Sequence, residues 1–386
     1  MPRDSNSSED HHHRPEWVPS APAEGEVYAS RVMPGAPESS SEPATADSVV
    51  LGGRRRKRRA LPEPAKLVEG ILAGNRTQLA QAITLVESSA GHHRAAAREV
   101  LAACLPHSGR SLRVGISGMP GAGKSTFIES FGQMLCAEGH KVAVLAVDPS
   151  SSRTGGSVLG DKTRMEALTR EPNAFIRPSP SGKTLGGVAR KTREAMLLCE
   201  AAGFDLILVE TVGVGQSEVT VRSMVDVFTV LQIAGAGDEL QGIKKGIIEL
   251  ADLIVITKAD GQNKTRAEST AGSFNRVLHY LQPATEGWES RAVICSALTG
   301  EGVPEIWGHL RAFGEATEAN GVFTQRRREQ NVAWLHSAID DALRQRFYAH
   351  SAVTQALPLA EHAVASGSEP VSVATERLLA AAGFSS

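Results

Sequence analysis

An α/β fold with a mostly parallel sheet, covered by helices on both faces, is predicted by three observations. Short apolar runs rich in Val, Ile and Leu recur along the chain; helical patterns separate them; and the residues with reactive side chains follow directly after the runs. Strands buried on both faces read as near-continuous apolar runs, and strand–helix alternation implies parallel pairing. The runs are 112–117, 141–147, 206–209, 225–231, 253–256 and 292–295. Ligands of such sheets sit beyond the carboxyl ends of the strands. Residues 118–126, Asp148, Glu210, the Lys258/Asp260 pair and Ser296 all fall there.

At 386 residues the chain has room for one large α/β domain with appendages, or for two domains. Hydrophobic residues make up 41% and aromatics only 4%, so the core is expected to be Val, Ile, Leu and Ala. A net charge of −2 gives no indication of nucleic acid or membrane as a partner. No apolar run approaches the ~20 residues of a membrane span. Cys104, Cys136, Cys199 and Cys295 are scattered singly, which fits reduced, buried thiols in a cytoplasmic protein.

Residues 1–60 are rich in Ser, Pro, Glu and Gly and read as a disordered tail. Their acidic start has no apolar segment and is not a secretory signal. His11, His12 and His13 are a metal-binding candidate, although exposed tail histidines more often bind nothing specific. Arg54–Arg59 is a basic run that reads as a solvated linker before it reads as a nucleic-acid contact. Residues 61–108 form a helical cap: Leu67, Ile71, Leu72, Leu79, Ile83, Leu85 and Val86 recur at helical spacing, Gly74-Asn75 marks a break, and 95–101 makes another helix. Residues 109–315 carry the strand–helix alternation. Residues 316–386 form a helical arm whose stripe Val332, Leu335, Ile339, Leu343 and Phe347 packs on its own domain or on another subunit. From 366 onward at most one short helix is expected.

Gly118, Met119, Pro120, Gly121, Ala122, Gly123, Lys124, Ser125 and Thr126 match G-x-x-x-x-G-K-[ST] at every fixed position, between a strand and a helix. Glycines let backbone N–H groups turn inward around an anion, and the helix N-terminus adds partial positive charge. Lys124 can reach the outer phosphates as a point charge, and the Ser125 hydroxyl can ligate Mg²⁺. The pattern predicts a nucleoside-triphosphate site of the P-loop NTPase type.

Further along, Glu210-Thr-Val-Gly213 reads as an acidic loop whose carboxylate holds the Mg²⁺ shell and whose Gly213 N–H senses the γ-phosphate. Lys124, Glu210 and Gly213 are the catalytic candidates. Thr257-Lys-Ala-Asp260 resembles the guanine-reading motif N-K-x-D. The Asp260 carboxylate can accept both N1–H and N2–H of guanine, a pairing that adenine lacks, while Lys258 lies along the base plane. Thr257 replaces the usual Asn and removes one amide contact. Ser296-Ala297-Leu298 fits the loop that covers guanine from the other side. Asp148 and Asp161 bracket a polar, Gly-rich stretch that reads as a switch loop with metal-shell carboxylates. Residues 235–245 form a second loop of that kind. No glutamine directly follows Gly213, so slow intrinsic hydrolysis, completed by a partner, is expected.

These blocks together closely resemble the MeaB/ArgK-type P-loop GTPases. The likeness runs through 83–87, the phosphate loop, 147–151, 155–165, 177–180, 209–218, 236–246 and 258–260, and covers roughly residues 65–350. The resemblance implies a homodimeric, GTP/GDP- and Mg²⁺-binding chaperone of adenosylcobalamin-dependent methylmalonyl-CoA mutase, which gates cofactor loading and protects the mutase. It implies that Lys124, Ser125, Asp148, Asp161 and Glu210 form the phosphate and Mg²⁺ site. Residues 235–246 would be the switch that answers to the mutase, and the C-terminal helices a dimerisation arm. Two other readings stay open: an ATPase or kinase linked to Lys/Arg/ornithine transport, and a metallochaperone GTPase.

Overall fold

The computed structural model describes residues 63–88, 90–147, 165–178, 185–211, 217–234 and 245–384. Seven strands form one sheet: β1 (Leu112–Gly118), β2 (Val142–Val147), β3 (Ala174–Arg177), β4 (Leu206–Thr211), β5 (Val227–Ile233), β6 (Leu253–Thr257) and β7 (Arg291–Ile294). Their order is β3-β2-β4-β1-β5-β6-β7, and every pairing is parallel. Of these strands, β3 is not anticipated by the sequence. Its four residues, Ala-Phe-Ile-Arg, are too few for periodicity to separate a strand from a helix turn.

The strands are buried on both faces, and the alternation of side chains divides the core into two layers. Val142 and Val144 face one layer, Ala143, Leu145 and Val147 the other. The first layer is closed by α4 (Lys124–Ala137) and α10 (Val303–Ala319), through Phe127, Phe131, Ile306 and Trp307. The second is closed by the N-terminal helices α1 (Pro64–Leu72), α2 (Arg76–Glu87) and α3 (Arg94–Cys104) with α6 (Leu185–Ala201). The break at Gly74-Asn75 is a helix start. Asn75 Oδ1 accepts the N–H groups of Thr77 and Gln78 at 3.0 and 3.2 Å, satisfying donors the first turn of α2 cannot. At the carboxyl edge of the sheet, Arg177 at the end of β3 donates through Nε to Glu87 Oε1 at 3.2 Å, pinning the end of α2. All four cysteines are buried and unpaired.

Short helices α5 (Glu166–Arg170), α7 (Ser217–Arg222) and α8 (Lys245–Ile248) and the longer α9 (Asn263–Leu278) complete the alternation. The chain then runs into α11 (Val322–Ala349), α12 (Ser351–Ala365) and α13 (Val371–Ala381). The last two hold a small core of their own, Val353, Ala360, Ala374 and Leu378.

The opposite, amino edge of the sheet is tied together by buried charge. Arg113 donates to both oxygens of Glu200 at 2.8 and 2.9 Å, and Ser111 Oγ and the Gly109 N–H add bonds at 2.6 and 2.8 Å. Burial pushes the Glu200 carboxyl up, but the Arg113 and Ser111 bonds outweigh it and hold the group below its ordinary value. Asp252 is fully buried, with Arg222 at 3.5 Å and Arg326 at 4.0 Å. Arg327, in the first turns of α11, forks onto both oxygens of Asp226.

Candidate functional site

The site lies beyond the carboxyl end of β1, where the sheet order places β4 on one side and β5 on the other. Gly118 closes the strand with φ 150°. A Cβ there would stand 2.3 Å from the Leu231 carbonyl oxygen on β5, so only glycine allows the loop to leave this close to its neighbour. Gly123, in the left-handed region at φ 82°, turns the chain into α4.

Lys124 opens that helix and is nine-tenths buried. Its ammonium donates to the carbonyl oxygens of Gly118 at 2.7 Å and Met119 at 3.2 Å, so it lies folded back across the loop. Burial pushes its pKa below the ordinary lysine value, while Glu210 and Glu218 oppose the shift. Ser125 Oγ donates to Glu210 Oε1 at 3.1 Å. Glu210 reaches that point because β4 pairs with β1 in a register that sets Ile116 beside it. A hydroxyl and a carboxylate oxygen side by side are the hard oxygen donors that Mg²⁺ takes. Beneath them, Thr211 Oγ1 donates to Ser117 Oγ at 3.0 Å.

About the other end of the loop a cavity of about 280 Å³ is lined by Ala122, Gly123, Thr126, Thr257, Lys258, Asp260, Asn263, Ala297 and Leu298. Three segments distant in sequence therefore share one concavity. Lys258 adopts φ 58°, the one non-glycine residue in the left-handed region among those described. Asp260 Oδ2 accepts Ser296 Oγ at 2.8 Å, which fixes the carboxylate. Ser296 is fully buried and acts behind the pocket wall, whereas Leu298 is largely exposed at its mouth. Two residues here escaped the sequence reading. Asn263, three positions after Asp260, lines the cavity from the first turn of α9. Thr257, noted there only for the contact it loses, donates its hydroxyl to Ala122 and Gln232 carbonyls at 2.7 and 2.9 Å.

Asp148, Asp161, Gly213 and the loop 235–244 lie outside the described residues, as do His11–His13 and Arg54–Arg59. Two larger clefts, of about 610 and 690 Å³, lie away from the loop and contain none of the sequence-predicted site residues.

Residues 79–352 match the family model described as methylmalonyl Co-A mutase-associated GTPase MeaB. The chain belongs to this MeaB family of P-loop GTPases. It is 51% identical to GTPase ArgK of Escherichia coli over 286 residues, which is 74% of this chain and 86% of that one. It is 46% identical to the mitochondrial methylmalonic aciduria type A homolog of Mus musculus over 326 residues, 82% of this chain and 79% of that one. Among solved structures it is similar to one described as LAO/AO transport system kinase, with a TM-score of 0.65, 41% identity, and coverage of 82% of this chain and 96% of the other. No described helix is long and apolar enough to cross a membrane.

Proposed function

We propose that this MeaB-family GTPase is a Mg²⁺-dependent switch that gates adenosylcobalamin loading into methylmalonyl-CoA mutase and protects the mutase. The observation that carries the nucleotide half is the shared cavity, which sets the phosphate loop against Asp260 and its Ser296 brace. In this reading the loop amides from Gly118 to Thr126 and Lys124 hold the phosphates. Ser125 and Glu210, with Asp148 and Asp161, supply oxygen donors for Mg²⁺, which would neutralise charge developing on the phosphates. Gly213 senses the γ-phosphate. Lys258, Asp260, Ala297 and Leu298 enclose guanine. The mutase half rests on the family and on the type A homolog.

The test is hydrolysis of GTP and of ATP by the purified protein, with and without the mutase. GTP-selective turnover that rises when the mutase is added is the expected result. ATP preference, or indifference to the mutase, sinks the reading. The name of the solved relative keeps a transport-linked kinase in play. The fixed Asp260 carboxylate argues against it, since its two acceptor oxygens suit guanine N1–H and N2–H and have no such pair on adenine. A metallochaperone would need a Cys or His site near the switch loops, and the sequence offers only the tail histidines His11–His13 for it; metal binding measured with and without residues 1–60 separates that reading.

The same proposal includes a homodimer built on the C-terminal arm. Val332, Leu335, Ile339 and Leu343 form a stripe along α11 and are all exposed, 59% in the case of Leu335. A continuous apolar stripe left in water marks an interaction face. Sedimentation of the wild type is expected at twice the chain mass, and Leu335→Asp/Ile339→Asp at the monomer mass with its melting profile retained. An unchanged mass in the double variant would remove the arm from the interface.

A further inference from the structure

We propose that Thr257 positions the phosphate loop against the base pocket and does not itself read the base. The inference depends on the placement of guanine at Lys258 and Asp260, proposed above. Thr257 is the last residue of β6 and is 2% exposed. Its Oγ1 lies 2.7 Å from the Ala122 carbonyl oxygen, in the phosphate loop, and 2.9 Å from that of Gln232, on β5. Carbonyl oxygens only accept, and a threonine hydroxyl has one proton. The two bonds share that proton and leave none to donate elsewhere. The acceptors that guanine offers on its open edge are N7 and O6, so this side chain has nothing to give them.

What the hydroxyl does instead is join three segments. Ala122 is adjacent to Gly123, the left-handed turn into α4. Gln232 follows Leu231, whose carbonyl stands so close to Gly118 that a Cβ would collide with it. On the other side of Thr257 the chain enters Lys258, in its left-handed conformation, and then Ala259, whose N–H donates to the Cys295 carbonyl at 3.0 Å. One buried hydroxyl thus holds the phosphate end and the base end of the site in register. The exchange of Asn for Thr follows from donor count. An Asn amide has two protons, enough to brace the loop and still reach a base, and Thr keeps only the bracing bond.

The experiment uses the full-length protein, with affinities measured for GTP and for 7-deaza-GTP, which lacks the N7 acceptor. Thr257→Val keeps the shape and removes the one donor that the buried Ala122 and Gln232 carbonyls share. It is expected to weaken both nucleotides by the same factor, about 5- to 50-fold, with their ratio unchanged within about twofold. Thr257→Ser should restore wild-type affinity. Thr257→Asn should keep affinity and create a preference of at least about threefold for GTP over 7-deaza-GTP, a result that stands even if the Val variant is too unstable to assay. A ratio that moves several-fold in Thr257→Val, unchanged affinity for both nucleotides, or a wild-type N7 preference that Thr257→Asn leaves as it was would each overturn the proposal. Asp260→Asn is the separate check on guanine placement and should shift preference from GTP to XTP. If it does not, the base is placed wrongly whatever Thr257 does.

Discussion

Lys124→Ala is expected to lower GTP turnover by about 100- to 1,000-fold, the scale for removing one preorganised charged donor from a transition state. Because Lys124 is nine-tenths buried and wrapped by Gly118 and Met119 carbonyls, an arginine is too broad to take its place, so Lys124→Arg should fail nearly as badly. The shift in its pKa also fixes a pH dependence. The ammonium is the active form, and burial moves its titration below the ordinary lysine value. Activity should therefore be full on the acid side of that lowered pKa and fall as pH rises through it, below the ~10.4 of a free lysine. Glu210 opposes the shift, so Glu210→Gln should move the alkaline limb of kcat/KM to still lower pH, besides reducing the rate. A limb that stays where an ordinary lysine titrates in both proteins would show that Lys124 does not govern it.

The strands were legible because burial on both faces leaves little but Val, Ile, Leu and Ala, a pattern visible without neighbours. The phosphate loop was legible for a different reason. Its geometry demands particular residues at fixed spacing, Gly118 for close approach to β5 and Gly123 for its left-handed turn. What escaped were features whose meaning resides in a distant partner. Thr257 meets Ala122 across 135 positions, Arg177 meets Glu87 across 90, and Arg327 meets Asp226 across 101. No periodicity or local spacing encodes such pairs. The block around Glu87 and the block beginning at Arg177 both carry the family likeness, and the Arg177–Glu87 ion pair links them. β3 is not legible in the sequence, because four residues at a sheet edge carry too little pattern.

Arg327→Met should cost about 3–5 kcal/mol, the scale for stripping the partner from a buried carboxylate. The Asp226 side chain is 1% exposed. Arg327 Nε and Nη2 donate to its two oxygens at 2.7 and 2.6 Å, and the same guanidinium caps the Gly109 and Ser111 carbonyls at 2.6 Å each. Methionine fills the volume but supplies none of these protons. Asp226 would then keep the Arg113 N–H, at 2.8 Å, as its remaining described side-chain hydrogen bond. The pair also fastens the start of α11 to the amino edge of the sheet, so its loss should loosen the arm before the nucleotide site at the far edge. Chemical denaturation reads the stability, and hydrogen exchange reads the order, with amides of the first turns of α11 losing protection ahead of those in α4. Adding Asp226→Asn should recover part of the loss, because the neutral amide no longer demands a counter-charge. If Arg327→Met stays within about 1 kcal/mol of wild type, where a solvent-exposed pair would fall, the ion pair is not what holds the arm, and the neighbouring hydrogen bonds of Arg326 to the Asp226 carbonyl and Thr285 and of Gln330 to the Val225 carbonyl carry it instead.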